Sequence, residues 1–413
     1  MVRDPVAQAL RDALAPATAR LARALGDLWV ADDAVQDAAV VALQRWPAEG
    51  VPARPDLWLL EVARNRAIDR WRREATLRRK LEELKESHAR APGESAEDRV
   101  SLLFTCCHPA IPRESQVALT LRAVCGLTVP QIAAAFMVAD ATIAQRIVRA
   151  KRKITAACIP FGVPAPEHLH FRLDEVLAAL YLMFNEGYLS TDATAADRPN
   201  LAEEAEWLTG QLATLMPQEP EVLGLLALMR LHRARRVTRF DEQGTLRPLQ
   251  DQDRSRWHHV TIRDAAALVL RASRLLRPGP YQLQAAIAAC HAEASEWEAT
   301  DWPQIVLLYD ELNRRAGTPV TRLHRAIALR YVAGPQAALD ELESLAPELD
   351  GHHLFHATRA ALLRDLDRRD EAKAADRRAL EHTRNPAERA LLWRRLAAGE
   401  ELTPEAAPAA TGR

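Results

Sequence analysis

Apolar residues recur along the 413-residue chain at spacings of three and four, the period of a helix with one face buried. Nowhere do they alternate in the two-residue rhythm of a strand. In "DLWLLEVARNRAIDRWRRE", residues 56 to 74, Leu57, Leu60, Ala63, Ala67, Ile68 and Trp71 share one stripe. At 100° per residue it is roughly 140° wide, as for a helix packed on a core. Asn65, Arg66, Asp69, Arg70, Arg72 and Arg73 lie off it. Residues 31 to 46, "ADDAVQDAAVVALQRW", predict a second helix with Val35, Ala39, Ala42, Leu43 and Trp46 inward. Asp33, Gln36 and Asp37 fall outside, where acids in a first turn suit the helix dipole.

A third pattern, "GLTVPQIAAAFMVADATIAQRIVRAKRKI", divides into helix, turn and helix. Thr128 and Gln131 have capping-box spacing, and Pro130 sits in the first turn where its missing N–H is harmless. Ile132 and Phe136 supply core contacts, "MVA" makes the turn, and Asp140 is placed to cap the second helix. On that helix Ile143, Ile147 and Ala150 share one face. Thr142, Gln145, Arg146, Arg149, Arg152 and Lys153 occupy an arc roughly 120° wide on the other. Polar groups for base edges beside cations for phosphates is the layout of a recognition helix; the bland alternative is a solvated basic helix.

The abundance of Ala, Leu, Arg and Glu, without β-branched alternating runs, predicts an all-α protein. Its length implies two or three domains. A charged segment containing Pro-Gly, residues 75–99, predicts a linker, and Pro160, Pro164 and Pro166 break the chain again. The expected blocks are 5–74, 100–156 and 168–400, with "TPEAAPAATGR" as a tail. Within the last block an offset of 34 aligns Ala326 with Ala360, Leu329 with Leu363, Gly334 with Arg368 and Ala338 with Ala372. That is the period of tetratricopeptide helix pairs; no earlier copy is convincing.

Residues 1 to 153 hold 24 Lys and Arg against 19 Asp and Glu, net +5, while the remainder holds 31 against 37, net −6. The first part is the candidate for nucleic acid. No apolar run approaches the ~20 residues of a membrane span and no secretory pattern opens the chain, so no membrane and a cytoplasmic location are expected. Five scattered cysteines, none in C-x-x-C spacing, suit a reducing compartment. Cys106, Cys107 and His108 lack a second cysteine pair at finger spacing. His352 and His356 lack the glutamate of H-E-x-x-H. No metal, cofactor or catalytic residue is therefore expected. Asn185, Glu186 and Gly187 in "FNEGY" are polar groups in an apolar context, fitting a buried hydrogen-bond network or a small-ligand site.

"DLWVADDAVQDAAVVAL", then "LWLLEVARNRAIDRWRR", a linker, and "GLTVPQIAAAFMVADATIAQRIVRAKRKI" together resemble domains 2 and 4 of bacterial sigma-70 family sigma factors of the extracytoplasmic-function (ECF) type. "LLFTCCHPAIP", "LYLMFNEGY" and "ATDWPQIVLLYDEL" extend the likeness to the group with a long tetratricopeptide-like C-terminal region. The resemblance implies two small helical domains joined by the charged linker in place of a full domain 3, then a helical-repeat region. It implies core RNA polymerase, through its beta-prime clamp helices and beta subunit, and promoter DNA as partners. Asp33, Gln36 and Asp37 match the clamp-helix surface. Asn65 with Arg66, Arg70, Arg72 and Arg73 matches the reader of melted minus-ten DNA, and Trp71 is assigned to packing. Thr142, Gln145, Arg146, Arg149, Arg152 and Lys153 match the minus-thirty-five reader. The C-terminal region is expected to regulate the sigma domains and to offer a surface for a protein partner of its own. A plain helix-turn-helix activator has no use for a single-strand reader. An enzyme centred on Glu186 or the histidines lacks nucleophile–base or metal spacing.

Overall fold

The computed structural model describes residues 5–26, 28–73, 95–136, 138–157, 159, 162–164, 166–189, 201–241, 246–383 and 385–400. They are overwhelmingly helical, with no strand beyond one isolated bridge between Phe240 and Leu246. The chain divides into two compact units, 1–216 and 217–413.

In the first unit α1 (Pro5–Leu25), α2 (Leu28–Glu49) and α3 (Pro55–Arg73) pack on one another. Their interface is alanine-rich: Ala17, Ala19, Ala22, Ala31, Ala38, Ala42 and Ala63 are fully buried. Small residues bring the helix axes close, and Leu21, Val35, Trp46 and Leu59 fill the intervals. Two expected core residues are not in it, since Leu43 is 55% exposed and Leu57 39%. On α2 the inward line is taken by Ala31, Ala38 and Ala42, which turns Leu43 out. On α3 Asp56 is held by Arg20 at 3.0 Å and Arg54 at 3.1 Å. Those bonds fix the helix so that Leu59, Ala63 and Ala67, four apart, point inward. Burial works against the Asp56 charge, yet the Arg54 and Arg20 guanidiniums outweigh it and hold this carboxyl below its usual range. The side chains of Ile68 and Trp71 lie outside the described residues, as do residues 75–94 of the expected linker and the expected tail, 403–413; residues 95–99 of that linker begin the next helix.

The next helices are α4 (Ser95–Cys106), α5 (Arg113–Ala123), α6 (Val129–Ala135) and α7 (Asp140–Ala156). The capping box at α6 is formed: Thr128 N–H donates to Gln131 Oε1 at 2.9 Å, and Gln131 N–H to Thr128 Oγ1 at 3.4 Å. Ile132, Ile143, Ile147 and Ile154 close the core of this helix pair.

Helices α8 (Pro166–Leu189) and α9 (Leu201–Leu215) complete the unit. Leu173, Val176, Leu177 and Leu180 bury the inner face of α8, which packs on α4, α5 and α9. Polar bonds register it there. Arg172 donates to the Phe104 carbonyl, and Gln116 Nε2 lies 2.9 Å from the Ile111 carbonyl and 3.2 Å from Glu175 Oε2.

The second unit runs α10 (Pro220–Ala234), α11 (His259–Ser273), α12 (Pro280–Glu293), α13 (Trp302–Ala316), α14 (Pro319–Glu343), α15 (Ala346–Leu349), α16 (His353–Asp365), α17 (Arg369–His382) and α18 (Pro386–Glu400). The 34-residue offset has a structural counterpart. Ala326, Ala338, Ala360 and Ala372 are all buried in one cluster with Leu323, Leu339 and Leu363. Each copy is a pair of helical segments joined at a left-handed residue. In the first it is Gly334, φ 88°, inside α14; in the second it is Asp367, φ 59°, one position before the aligned Arg368. The turn survives the loss of glycine by moving to an aspartate, which adopts a positive φ near 60° more readily than most side chains.

Candidate nucleic-acid interface

The two sides of α7 are sorted by chemistry. Ile143, Ile147, Ala150 and Ile154 are buried, whereas Gln145, Arg149, Arg152 and Lys153 are exposed and Thr142 is half-buried. Arg146 belongs to the same arc, but its guanidinium is held by Glu114 of α5 at 2.5 Å. Four of the six predicted residues therefore present freely accessible side chains on one helix face, and a fifth is tethered.

Lys151 takes a third direction. Its Nζ lies 3.0 Å from Asp32 Oδ2 and 3.9 Å from Asp33 Oδ1 on α2, and 4.6 Å from the centroid of Trp29. Asp32 is buried, its side chain 6% exposed. Nothing in the spacing of the sequence joins positions 119 apart; the only trace was an aspartate placed next to the exposed Asp33.

On α2, Asp33 and Asp37 are exposed and Gln36 is half-buried. The same line continues into Val40, 54% exposed, and Leu43. Steps of three and four keep all five on one face, so an acidic end grades into an apolar end. On α3, Asn65 and Arg66 are exposed. Arg70, Arg72 and Arg73 belong to the same helix, with side chains outside the described residues.

The cysteines, the histidines and Gly187 have structural employment, whereas Asn185 and Glu186 line a groove. Cys106 and Cys107 are buried thiols, pushed up by burial, Cys107 to about 12. His108 Nδ1 accepts from the Ala110 N–H at 3.1 Å and closes the turn after α4. His352 caps α16 by accepting from the Leu354 N–H, and His356 Nε2 meets the Asp350 carbonyl at 2.6 Å. Among the described residues no group of three His, Cys, Asp or Glu is placed to hold a metal ion. Asn185 and Glu186 line a groove of about 360 Å³ with Leu182, Phe136, Ile143 and Arg146, and burial raises the Glu186 carboxyl. Gly187 serves packing, because a Cβ there would meet the Ala202 backbone nitrogen at 2.4 Å.

Residues 10–76 match the family described as Sigma-70 region 2, and residues 101–154 match Sigma-70, region 4. Residues 172–273 match a family of unknown function, DUF6596. An uncharacterized protein of Rhizobium meliloti (strain 1021) is 41% identical over 398 residues, covering 94% of each chain. No solved structure matches. The first region corresponds to α1–α3 and the second to α4–α7, in the order and spacing of a promoter-specificity subunit. The chain belongs to the sigma-70 family of sigma factors, with a long helical C-terminal extension. Its partners are core RNA polymerase and promoter DNA, and it directs transcription initiation. Among the described residues no helix is long and apolar enough to cross a membrane.

Proposed function

We propose that this sigma factor is of the ECF type, working in the cytoplasm with minus-ten melting by α3, minus-thirty-five reading by α7, and control by its own tetratricopeptide-like C-terminal region. The carrying observation is the sorting of α7, with isoleucines on one side and Gln145, Arg149, Arg152 and Lys153 exposed on the other. Asn65 and Arg66, exposed on α3, take the single-strand role together with Arg70, Arg72 and Arg73. Asp33, Gln36 and Asp37, continued by Val40 and Leu43, form the face for the beta-prime clamp helices. A half-acidic, half-apolar helix face supports a protein partner better than a solvent role.

Regulation by the extension is supported by its first helices. Arg113 and Glu175 pair at 3.2 Å across α5 and α8. Arg99 of α4 pairs with Glu204 of α9 at 2.6 Å and lies 4.3 Å over Trp207. The extension thereby grips the DNA-reading domain directly. Run-off transcription with core polymerase and a mapped promoter tests the whole reading. Asp33→Arg with Asp37→Arg is expected to abolish association with core while leaving the helical circular dichroism unchanged. Wild-type co-purification of that variant would remove the polymerase face from α2.

A further inference from the structure

We infer that the groove between α8 and the helix-turn-helix is a binding site for a small organic ammonium ion with an apolar body. It encloses about 360 Å³, the space of about a dozen water molecules and within the ordinary range of small-molecule sites. Val117 of α5, Phe136 and Val138 of the turn, Ile143 of α7 and Leu182 of α8 form its apolar wall. Leu182 is 43% exposed there, because the opposite side of α8, with Leu177, Leu180, Met183 and Phe184, faces the core. Leu182, Asn185 and Glu186 stand three and four positions apart, so one face of α8 brings them to the groove together.

The polar groups of the groove are unequal. Arg146 is held by Glu114 at 2.5 Å and Arg113 by Glu175 at 3.2 Å, so both cations at its edge already have carboxylates. The side chains of Asn185 and Glu186, both half-buried, have no hydrogen-bond or ion-pair partner among the described residues. Glu186 is therefore a carboxyl drawn out of water with no cation beside it: burial alone moves it upward, and no basic group among the described residues counters the shift. An ammonium supplies the missing charge together with up to three donors, one of which the amide oxygen of Asn185 can accept. A carboxylate or phosphate ligand would face Glu186 across a poorly solvated gap, and Arg113 and Arg146 would have to leave their carboxylates to meet it. A wholly apolar ligand would cover Asn185 and Glu186 and leave them unpaired. A cation with an apolar body satisfies the wall and the acid together. Its occupant touches α5, the turn, α7 and α8 at once, and so ties the first helix of the extension to the helix-turn-helix. The site goes beyond the transcriptional reading and stands whether or not α7 reads DNA.

The test is isothermal titration calorimetry on the full chain with phenethylamine, alongside phenylacetate and phenethyl alcohol, which carry the same body with an anion or no charge. Phenethylamine is expected to bind saturably, with phenylacetate weaker by about tenfold or more and phenethyl alcohol in between. Glu186→Gln is nearly isosteric and uncharged. It is expected to weaken phenethylamine roughly tenfold and phenethyl alcohol by less than about twofold. The melting temperature of the free variant is expected to stay at or above that of wild type, since a poorly solvated charge has been removed. Leu182→Ser, at an exposed position, is expected to weaken both ligands severalfold through the apolar wall, and it carries the test if Glu186→Gln loses helicity. Absence of saturable binding, a preference for phenylacetate, or equal affinity of wild type and Glu186→Gln for phenethylamine overturns the site. No amine binding by wild type, together with weaker core-polymerase association in Leu182→Ser, would also overturn it and assign the groove to a polymerase segment.

Discussion

Gly187 of α8 and Ala202 of α9 approach so closely that a Cβ on the glycine would lie 2.4 Å from the Ala202 nitrogen. The obstructing atom is backbone, so relief requires the helices to separate. Gly187→Ala is expected to destabilise the protein by about 2–3 kcal/mol, as overpacking does where neighbours cannot yield. Gly210, also helical, has open space around it, with nothing within 4 Å of where a Cβ would sit, and Gly210→Ala is expected to stabilise by about 0.5–1 kcal/mol. Urea midpoints for the two variants, moving in opposite directions, check the assignment; equal shifts would contradict it.

Arg146 differs from its neighbours on α7 because Glu114 already holds it. To touch DNA it must exchange a carboxylate for a phosphate or base. Glu114→Gln is therefore expected to strengthen promoter binding severalfold, whereas Arg149→Ala weakens it. If Arg149 meets a phosphate, its loss lowers the salt slope by about one; if it meets a base, it costs about 1–3 kcal/mol at that position only. Binding isotherms across a salt series distinguish the cases. Weaker binding by Glu114→Gln would show that the ion pair positions the arginine for DNA.

Local signals were legible in the sequence and long-range ones were not. Thr128 and Gln131 announce the start of α6 because a capping box is complete within four residues. The sorted faces of α7 follow from periodicity alone. Leu43 and Leu57 fall on the apolar stripes that periodicity draws, yet both stand exposed, because the buried line runs along the alanines at closely approaching helices. Gly187 stood out in "FNEGY" as part of a polar motif; its reason is steric and appears only once α9 is in place. The Lys151–Asp32 pair depends on domain docking, which no single segment encodes.

His291 gives the fold an acid sensitivity. Its ring stacks 6.1 Å from Trp297 and meets Trp302 edge-on at 5.2 Å. Burial, then the charges of Arg235 and Arg254, push its pKa down to about 4. The unfolded chain takes up a proton near pH 6.5 and the folded one does not until about 4. Between those values stability falls as pH falls. His232 and His324 are lowered as well and act in the same direction. His291→Phe is expected to make the slope of stability against pH shallower by up to about 1.4 kcal/mol per pH unit, one proton's worth. Urea titrations at half-unit steps from pH 4 to 7 measure it, and an unchanged slope would assign the acid limb to other groups.

The division of the chain sets where the C-terminal region is to be cut. A truncation after Ala157 removes α8, whose Leu173, Val176, Leu177 and Leu180 are buried in the first unit. It also leaves Gln116 and Arg113 without Glu175. Loss of activity in that variant would report a damaged domain 4 and say nothing about regulation. A cut after Met216 falls at the boundary between the two units and keeps α8 and α9 with the domain they grip. The 1–216 chain is expected to stay folded and to bind core polymerase, with promoter output differing from that of the full chain. Higher output identifies the second unit as an inhibitor, and lower output identifies it as a required clamp. The contrast with the 1–157 chain, expected to show a lower melting temperature than 1–216, checks that α8 and α9 are structural parts of the sigma half. Equal output, affinity and stability for 1–216 and the full chain would make the second unit an independent module and remove the regulatory reading.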